Sequence, residues 1–220
     1  RSGEVEFVSV RSPRQSHVGR PAPEPGRLIA FGIFALVTAV FFSSHIGGSA
    51  FLWEDFTEQY LPFQSYAAAA LMSGEFPFWN PYTFGGMPFF ADLQNGVFYP
   101  GHLLVYIFSG GEPSAWILQM HIILHYFIAM VGMWMLAGRL GIGAWGKIYA
   151  GIAYGLTGMM VAHMIHPNMV FHMAWFPMIA ALYWGGIRDQ KFVPIVGAGL
   201  ITGLVMLSGH PQSALTIILF

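Results

Sequence analysis

The stretch Trp116–Ala137, WILQMHIILHYFIAMVGMWMLA, contains no Asp, Glu, Lys or Arg and decides the fold class. A helix rises 1.5 Å per residue, so about 20 apolar residues cross a hydrocarbon core of roughly 30 Å. The whole chain of 220 residues is 55% hydrophobic and only 9% charged, with a mean hydropathy of +0.58. Soluble domains carry roughly 25% charged residues. These values predict an integral membrane protein built from helices.

Further apolar runs extend this prediction along the chain. Leu28–Ile46 predicts a first membrane span, and residues 116–220 predict spans two to five with the start of a sixth near Ser213. The predicted fold class is all-α, a polytopic transmembrane helical bundle. Spans three to five correspond to the runs Ile148–Ile165, Met169–Ile187 and Val193–Ser208.

The N-terminal region has a different composition. Residues 1–27 carry five arginines and end in a proline-rich stretch, a composition that favours a disordered cytoplasmic tail. A cleaved signal peptide is the competing interpretation of the first run, because small residues follow it at 47–50. Because the chain begins at Arg1 and stops inside an apolar run, we expect an N-terminal part of a longer protein, incomplete at its C-terminus.

The basic residues recur at every second loop, which predicts the topology. They lie up to Arg27, at Arg139 and Lys147, and at Arg188 and Lys191, and cytoplasmic loops are enriched in such residues. The N-terminus is therefore expected in the cytoplasm and residues 47–115 outside. No basic patch suits nucleic acid, so we expect no nucleic-acid partner. Cysteine is absent, which excludes disulfides and thiolate metal sites.

The predicted outer loop, residues 47–115, combines carboxylates with a high density of aromatic rings. Rings of this kind suit the membrane–water interface, and we expect the loop to lie flat on it. The pattern predicts interfacial helices at Asp55–Ser73 and His102–Phe108, separated by the helix-breaking stretch PFWNPYTFGGMPFF. The acids of the loop are Glu54, Asp55, Glu58, Glu75, Asp92 and Glu112.

The start of this loop, LWEDFTEQYLPF, concentrates three of the acids. In a helix, Asp55, Glu58 and Gln59 share one face through the i, i+3, i+4 spacing. A solvated acidic loop is the simpler interpretation. In a folded and partly apolar loop, however, such a carboxylate is suited to act as a general base.

Several motifs in the same region resemble the bacterial YfhO membrane-protein family, which is similar to glycosyltransferases of the GT-C type. The motifs are G-x-x-P-x-W-N-P at Gly74–Pro81, then G-G-x-P and Q-x-x-x-F-Y-P around Gly85–Pro100, with further similarity through LSGHPQ. The resemblance covers most of the chain from Trp53 to Gln212. It implies an enzyme of the bacterial cytoplasmic membrane that moves a sugar from a polyprenyl-phosphate carrier to an envelope polymer or lipid.

The resemblance also implies roles for particular residues. Asp55, with Glu54 beside it, matches the expected catalytic base, and Asp55 with Asp92 matches a site for a divalent metal such as Mg²⁺ or Mn²⁺. The loop offers no Lys or Arg for the leaving phosphate, so such a metal, or a cation beyond residue 220, is expected to supply that charge. The residues expected to contact substrate are Glu58, Gln59, Trp79, Asn80, Gln94, His163 and His166.

The histidines have alternative explanations. His121 and His125 lie one helical turn apart, where a metal pair competes with hydrogen bonds to neighbouring helices. His163, His166 and His210 lie at predicted outer span ends, as ligand contacts or as ordinary turn residues.

Two function classes therefore remain, besides a structural membrane subunit with no chemistry. The first is the glycosyltransferase. The second is a polytopic transporter or flippase of the cytoplasmic membrane, in which outer acids gather cations and membrane histidines relay protons. The concentration of acids in one outer loop favours the enzyme.

Overall fold

A computed structural model describes residues 26–50 and 54–219. Residues 1–25, which carry nearly all of the predicted disordered tail, lie outside the described residues. The described part of the chain is helical and contains no strand, apart from one isolated bridge between Asn80 and Met87. The all-α prediction is therefore confirmed for these residues. The α-helices of the described residues are α1 (Arg27–Phe41), α2 (Ser43–Ile46), α3 (Leu61–Met72), α4 (Pro100–Phe108), α5 (Ala115–Arg139), α6 (Ala144–Gly155), α7 (Gly158–Ala162), α8 (Pro167–Arg188), α9 (Phe192–Met206) and α10 (Pro211–Leu219). A π-helix at Phe56–Tyr60 leads directly into α3.

Two of these helices, α5 and α8, are long and apolar enough to cross a membrane. The other predicted spans are shorter or interrupted. The first predicted span breaks at Phe42 into α1 and α2. The third predicted span breaks after Gly155. There the Thr157 hydroxyl accepts a hydrogen bond from the Met160 N–H and caps the start of α7. Helix α9 has 15 residues. The full polytopic bundle therefore stays a prediction.

Helices α5 and α8 form the centre of the fold and run parallel. Their C-terminal ends meet where Arg139 Nη1 lies 3.0 Å from Asp189 Oδ2. Midway along, Gly132 lets α5 approach the α8 backbone, since a Cβ there would lie 3.0 Å from the Met178 nitrogen. Helix α6 returns antiparallel along α5, with Gly151 against the Met130 carbonyl.

The segment from the π-helix to α4 covers the opposite end of this pair. The ring of Tyr99 stacks on Phe171 of α8 at a centroid distance of 5.2 Å. The side-chain amide of Asn168, in the first turn of α8, donates to the Gln94 carbonyl at 2.7 Å. Gly209, with a φ of +87°, allows the chain after α9 to pass against the Leu93 carbonyl.

Charge is segregated along the α5–α8 pair. The end where Arg139 meets Asp189 carries four basic residues in terminal turns of helices or next to them, namely Arg139, Lys147, Arg188 and Lys191. The carboxylate of Asp55, the residue before the π-helix, lies at the other end, beside the start of α8. This distribution agrees with the alternation of basic loops in the sequence.

Candidate functional site

The π-helix decides where the acidic residues point. Phe56 and Tyr60 are buried and anchor the segment in the core. In this wider helix, residues four positions apart share a face, whereas residues three apart diverge. Asp55 and Gln59 consequently line one cavity, and Glu58 is exposed outside it. The α-helical spacing assumed from the sequence had grouped all three.

The cavity has a volume of about 100 Å³ and lies between the π-helix, the turn at Gln94 and the start of α8. Across it, His166 Nε2 lies 3.4 Å from Asp55 Oδ2, with side-chain exposures of 36% and 53%. A cavity needs roughly 10–15 Å³ of such space to hold one water molecule, so this one admits a polar group of several atoms. The lining residues are Asp55, Gln59, Tyr60, Phe63, Gln64, Gln94, His166, Pro167, Asn168, Met169 and His210.

Amide side chains of the wall are partly committed to one another. Gln59 Nε2 donates to Gln94 Oε1 at 2.9 Å, and Gln64 Nε2 donates to the Asn95 carbonyl at 2.9 Å. The Asn168 side-chain amide donates to the Gln94 carbonyl. One N–H of each of Gln59, Gln64 and Asn168 thus holds the wall together, while the Asn168 side-chain oxygen stays available to a ligand as an acceptor.

Two wall residues carry buried acceptor or ring atoms without a hydrogen-bond partner, namely His166 Nδ1 and Asn168 Oδ1. A buried polar atom without a partner costs about 1–3 kcal/mol. Beside the cavity, the buried His172 has an unpartnered Nε2, and its ring lies 6.0 Å from that of His210. A hydrogen-bonding ligand group at this wall would offset part of that cost.

His210 offers the cavity a hydrogen-bond donor. Its Nδ1 accepts from the Ser213 N–H at 3.2 Å, so its Nε2 carries the proton in the neutral ring. Burial lowers the pKa of His210, which keeps this ring neutral near pH 7. The cavity therefore offers a carboxylate, several acceptors and a few neutral donors, with no Lys or Arg among its lining residues.

The remaining predicted site residues lie elsewhere. Glu54 is exposed with a φ of +35°, and Trp79 is exposed in the following loop. Asn80 is buried and its side chain holds a turn, where Oδ1 accepts from the Tyr82 N–H at 2.9 Å. His163 donates Nδ1–H to the Met159 carbonyl, and its ring lies 5.4 Å from that of His166. None of these four residues lines the cavity.

The predicted metal pair is not brought together in the cavity. Asp92 caps the turn at Leu93–Asn95, where its Oδ1 accepts from the Gln94 N–H at 3.0 Å, and only Asp55 of the pair lines the cavity. Within residues 26–50 and 54–219, no three His, Asp or Glu side chains are placed to hold a metal ion. The divalent ion expected from the resemblance therefore stays a prediction.

Sequence reasoning missed the buried polar network behind the cavity. His102 donates Nδ1–H to the Gly96 carbonyl at 2.8 Å, so its Nε2 accepts from the Tyr60 hydroxyl at 3.0 Å. Burial lowers the pKa of His102 to about 4. Gln64 accepts from the Tyr106 hydroxyl on the same side. The only sequence signal was the occurrence of polar residues within an apolar pattern, which does not reveal their partners.

A second cavity, of about 480 Å³, is almost wholly apolar and lies between α4 and α5. His121 and His125 border it. The Tyr99 hydroxyl donates to His125 Nε2 at 2.7 Å, whereas both ring nitrogens of His121 are buried without a partner. Their rings lie 4.9 Å apart. The expectation of a bond to a neighbouring helix therefore holds for His125, whose partner Tyr99 is the N-cap residue of α4, and not for His121.

Comparisons of the chain with protein-family models, with curated proteins and with solved structures find no match.

Proposed function

We propose that this protein is an integral membrane glycosyltransferase of the GT-C type, with Asp55 as its general base. It transfers a sugar from a polyprenyl-phosphate carrier to a hydroxyl of an envelope polymer or lipid on the extracytoplasmic side. The observation that carries the proposal is the cavity in which Asp55 faces His166 at 3.4 Å among amide side chains. The motif resemblance to the YfhO family supports the same reaction class.

The hydrogen-bonding character of the cavity supports a hydroxyl as its ligand. A hydroxyl donates one hydrogen bond and accepts others, so it can satisfy Asp55 or Asn168 Oδ1 while accepting from His210 Nε2–H. A phosphate only accepts at neutral pH and would meet the negative charge of Asp55 without a compensating cation. The cavity is therefore assigned to the acceptor hydroxyl rather than to the carrier phosphate.

In the proposed reaction, Asp55 removes the proton of the acceptor hydroxyl as its oxygen attacks the anomeric carbon of the sugar. The bond between that carbon and the carrier phosphate oxygen breaks, and the phosphate leaves with the electron pair from the opposite face. The configuration at the anomeric carbon is inverted. His166, whose Nε2 lies 3.4 Å from Asp55 Oδ2, orients the carboxylate towards the acceptor hydroxyl.

The test is Asp55→Asn in the full protein, assayed in membrane vesicles as transfer of radiolabelled sugar from carrier lipid to polymer. The amide keeps the size of the side chain and removes the base. Because general bases contribute roughly 10²- to 10⁴-fold, we expect transfer to fall at least about 100-fold at unchanged protein level.

Glu58→Gln is the matched control. It makes the same carboxylate-to-amide change on the same segment, but Glu58 is exposed and outside the cavity. This variant should retain most of the wild-type transfer. Full activity of Asp55→Asn, or an equal loss in Glu58→Gln, would refute the assignment of Asp55.

The transporter is the second candidate, and the observation that favours it is His121, a buried histidine of α5 with two unpartnered nitrogens. Ionisable groups at such positions mark proton or substrate pathways in transporters. Proton uptake by vesicles that depends on His121 and is insensitive to Asp55→Asn would favour this function over glycosyl transfer.

A further inference from the structure

The segment between α3 and α4 presents an unusual group of aromatic rings to the surroundings. We call residues 76–90, together with Phe98, the aromatic loop. Tyr82 is 85% exposed and Phe84 is 89% exposed. Contiguous exposed apolar groups on this scale mark an interaction site rather than an ordinary protein surface. The other exposed rings of the loop are Phe76, Phe78, Trp79, Phe90 and Phe98.

Several contacts hold this loop in shape although its rings are exposed. Asn80 and Met87 exchange two main-chain hydrogen bonds of 2.9 Å, which close the hairpin. The Tyr66 hydroxyl of α3 donates to the Trp79 carbonyl at 2.6 Å. Phe76 contacts Phe78 and Phe90 at centroid distances of 4.4 and 4.9 Å. The loop is thus a preformed surface that needs no further folding to bind.

The chemistry of the loop limits its partner. Its rings include Trp and Tyr, which combine an apolar face with a polar atom and concentrate at the membrane–water interface. The nearby charges are those of Glu75 and Asp92, and no Lys or Arg occurs from residue 28 to residue 138. Acidic proteins, nucleic acids and anionic headgroups therefore find no complementary charge there.

The loop is continuous with a surface that is itself expected to contact lipid. Phe98 packs on Phe90 at 5.8 Å and is followed within two residues by α4. Leu104 and Phe108 of α4 are exposed and line the apolar groove shared with Leu124 of α5, one of the two candidate membrane spans. An apolar surface thus runs from the loop through α4 onto α5.

From these observations we propose that the aromatic loop inserts into the interface of the lipid bilayer that α5 crosses. It acts as an anchor for the segment that carries Asp55. The occupant is the glycerol and upper acyl region of zwitterionic or neutral lipid, which accommodates rings without requiring positive charge on the protein. This inference does not depend on glycosyl transfer, because an inserted loop would serve a transporter equally.

The absence of cysteine allows a direct test on the whole chain. A single nitroxide spin label is attached at Phe84→Cys or at Tyr82→Cys, and the protein is reconstituted into phosphatidylcholine vesicles. Power saturation then compares the accessibility of the label to oxygen, which partitions into lipid, with its accessibility to a water-soluble nickel complex. Glu58→Cys, on the exposed face of the π-helix, is the aqueous control.

We expect the oxygen-to-nickel accessibility ratio to be about tenfold higher at both loop positions than at Glu58, because oxygen concentrates in lipid and the nickel complex in water. Vesicles containing added anionic lipid should give the same ratio. A ratio equal to that at Glu58 would show that the loop faces water. Low accessibility to both reagents would show a protein partner or a second copy. Either result overturns the proposal, and neither bears on the transfer assay of Asp55→Asn.

Discussion

The Tyr99 hydroxyl joins three separate parts of the fold, and its removal gives the sharpest test of their packing. It donates to His125 Nε2 of α5 at 2.7 Å and accepts from the Trp175 indole N–H of α8 at 2.9 Å. Its ring stacks on Phe171. Tyr99→Phe keeps the ring and the stacking, so it isolates the two hydrogen bonds.

The expected magnitude follows from the groups left behind. Removing one partner of a buried hydrogen bond costs about 1–3 kcal/mol, because the remaining polar atom is left without a partner. Tyr99→Phe leaves His125 Nε2 and the indole N–H of the half-buried Trp175 in that state. We therefore expect a loss of about 2–4 kcal/mol in the free energy of unfolding. A loss of about 3 kcal/mol changes the unfolding equilibrium roughly 150-fold.

The assay is equilibrium unfolding of the purified protein in mixed detergent micelles, followed by tryptophan fluorescence. Tyr149→Phe is the matched control, because Tyr149 is 76% exposed, and it should change the free energy by less than about 0.5 kcal/mol. An equally small effect of Tyr99→Phe would refute the inference that this hydroxyl ties the loop segment to α5 and α8.

Two further predictions concern α4 and its surroundings. A methyl group at Gly101 would collide with the ring of His121, so Gly101→Ala should lower the free energy of unfolding by about 1–3 kcal/mol in the same assay. The control is Gly199→Ala on α9, where the added methyl group would meet open space. This change should be neutral or slightly stabilising. Burial lowers the pKa of His102 from 6.5 to about 4, so the unfolded chain takes up this proton first as the pH falls. The contribution of neutral His102 to the free energy of unfolding is fully present above about pH 6.5 and is lost towards pH 4, by up to about 3 kcal/mol. His102→Gln should therefore reduce this acid-induced loss relative to wild type. An unchanged acid loss in that variant would contradict the assignment.

Helix content was well predicted because it depends on local composition and periodicity. The runs around α5 and α8 predicted long helices, and the short helix predicted at His102–Phe108 corresponds to α4 at Pro100–Phe108. Helix interruptions were predicted poorly. The run from Ile148 to Ile165 looks uniformly apolar, yet Thr157 caps a new helix within it. A single side-chain hydrogen bond of this kind has almost no effect on a hydropathy average.

The candidate site was predicted in part. Asp55, Gln59, Gln94, His166 and His210 had been named from the sequence and do line one cavity, whereas Asn168, which completes its wall, had not. Asn168 had no local signal, because its role depends on donating to the Gln94 carbonyl, 74 residues earlier in the chain.

By itself, the amino-acid sequence determined the helical class, the apolar character and the separation of acidic from basic segments, since each of these properties is a sum over neighbouring residues. Only the tertiary structure decided which polar groups meet. The π-helix rotated Glu58 away from Asp55, and the start of α8 brought His166 to within 3.4 Å of the Asp55 carboxylate. Contacts between residues more than a hundred positions apart depend on how the helices pack, and that packing balances many weak contacts that no local pattern records.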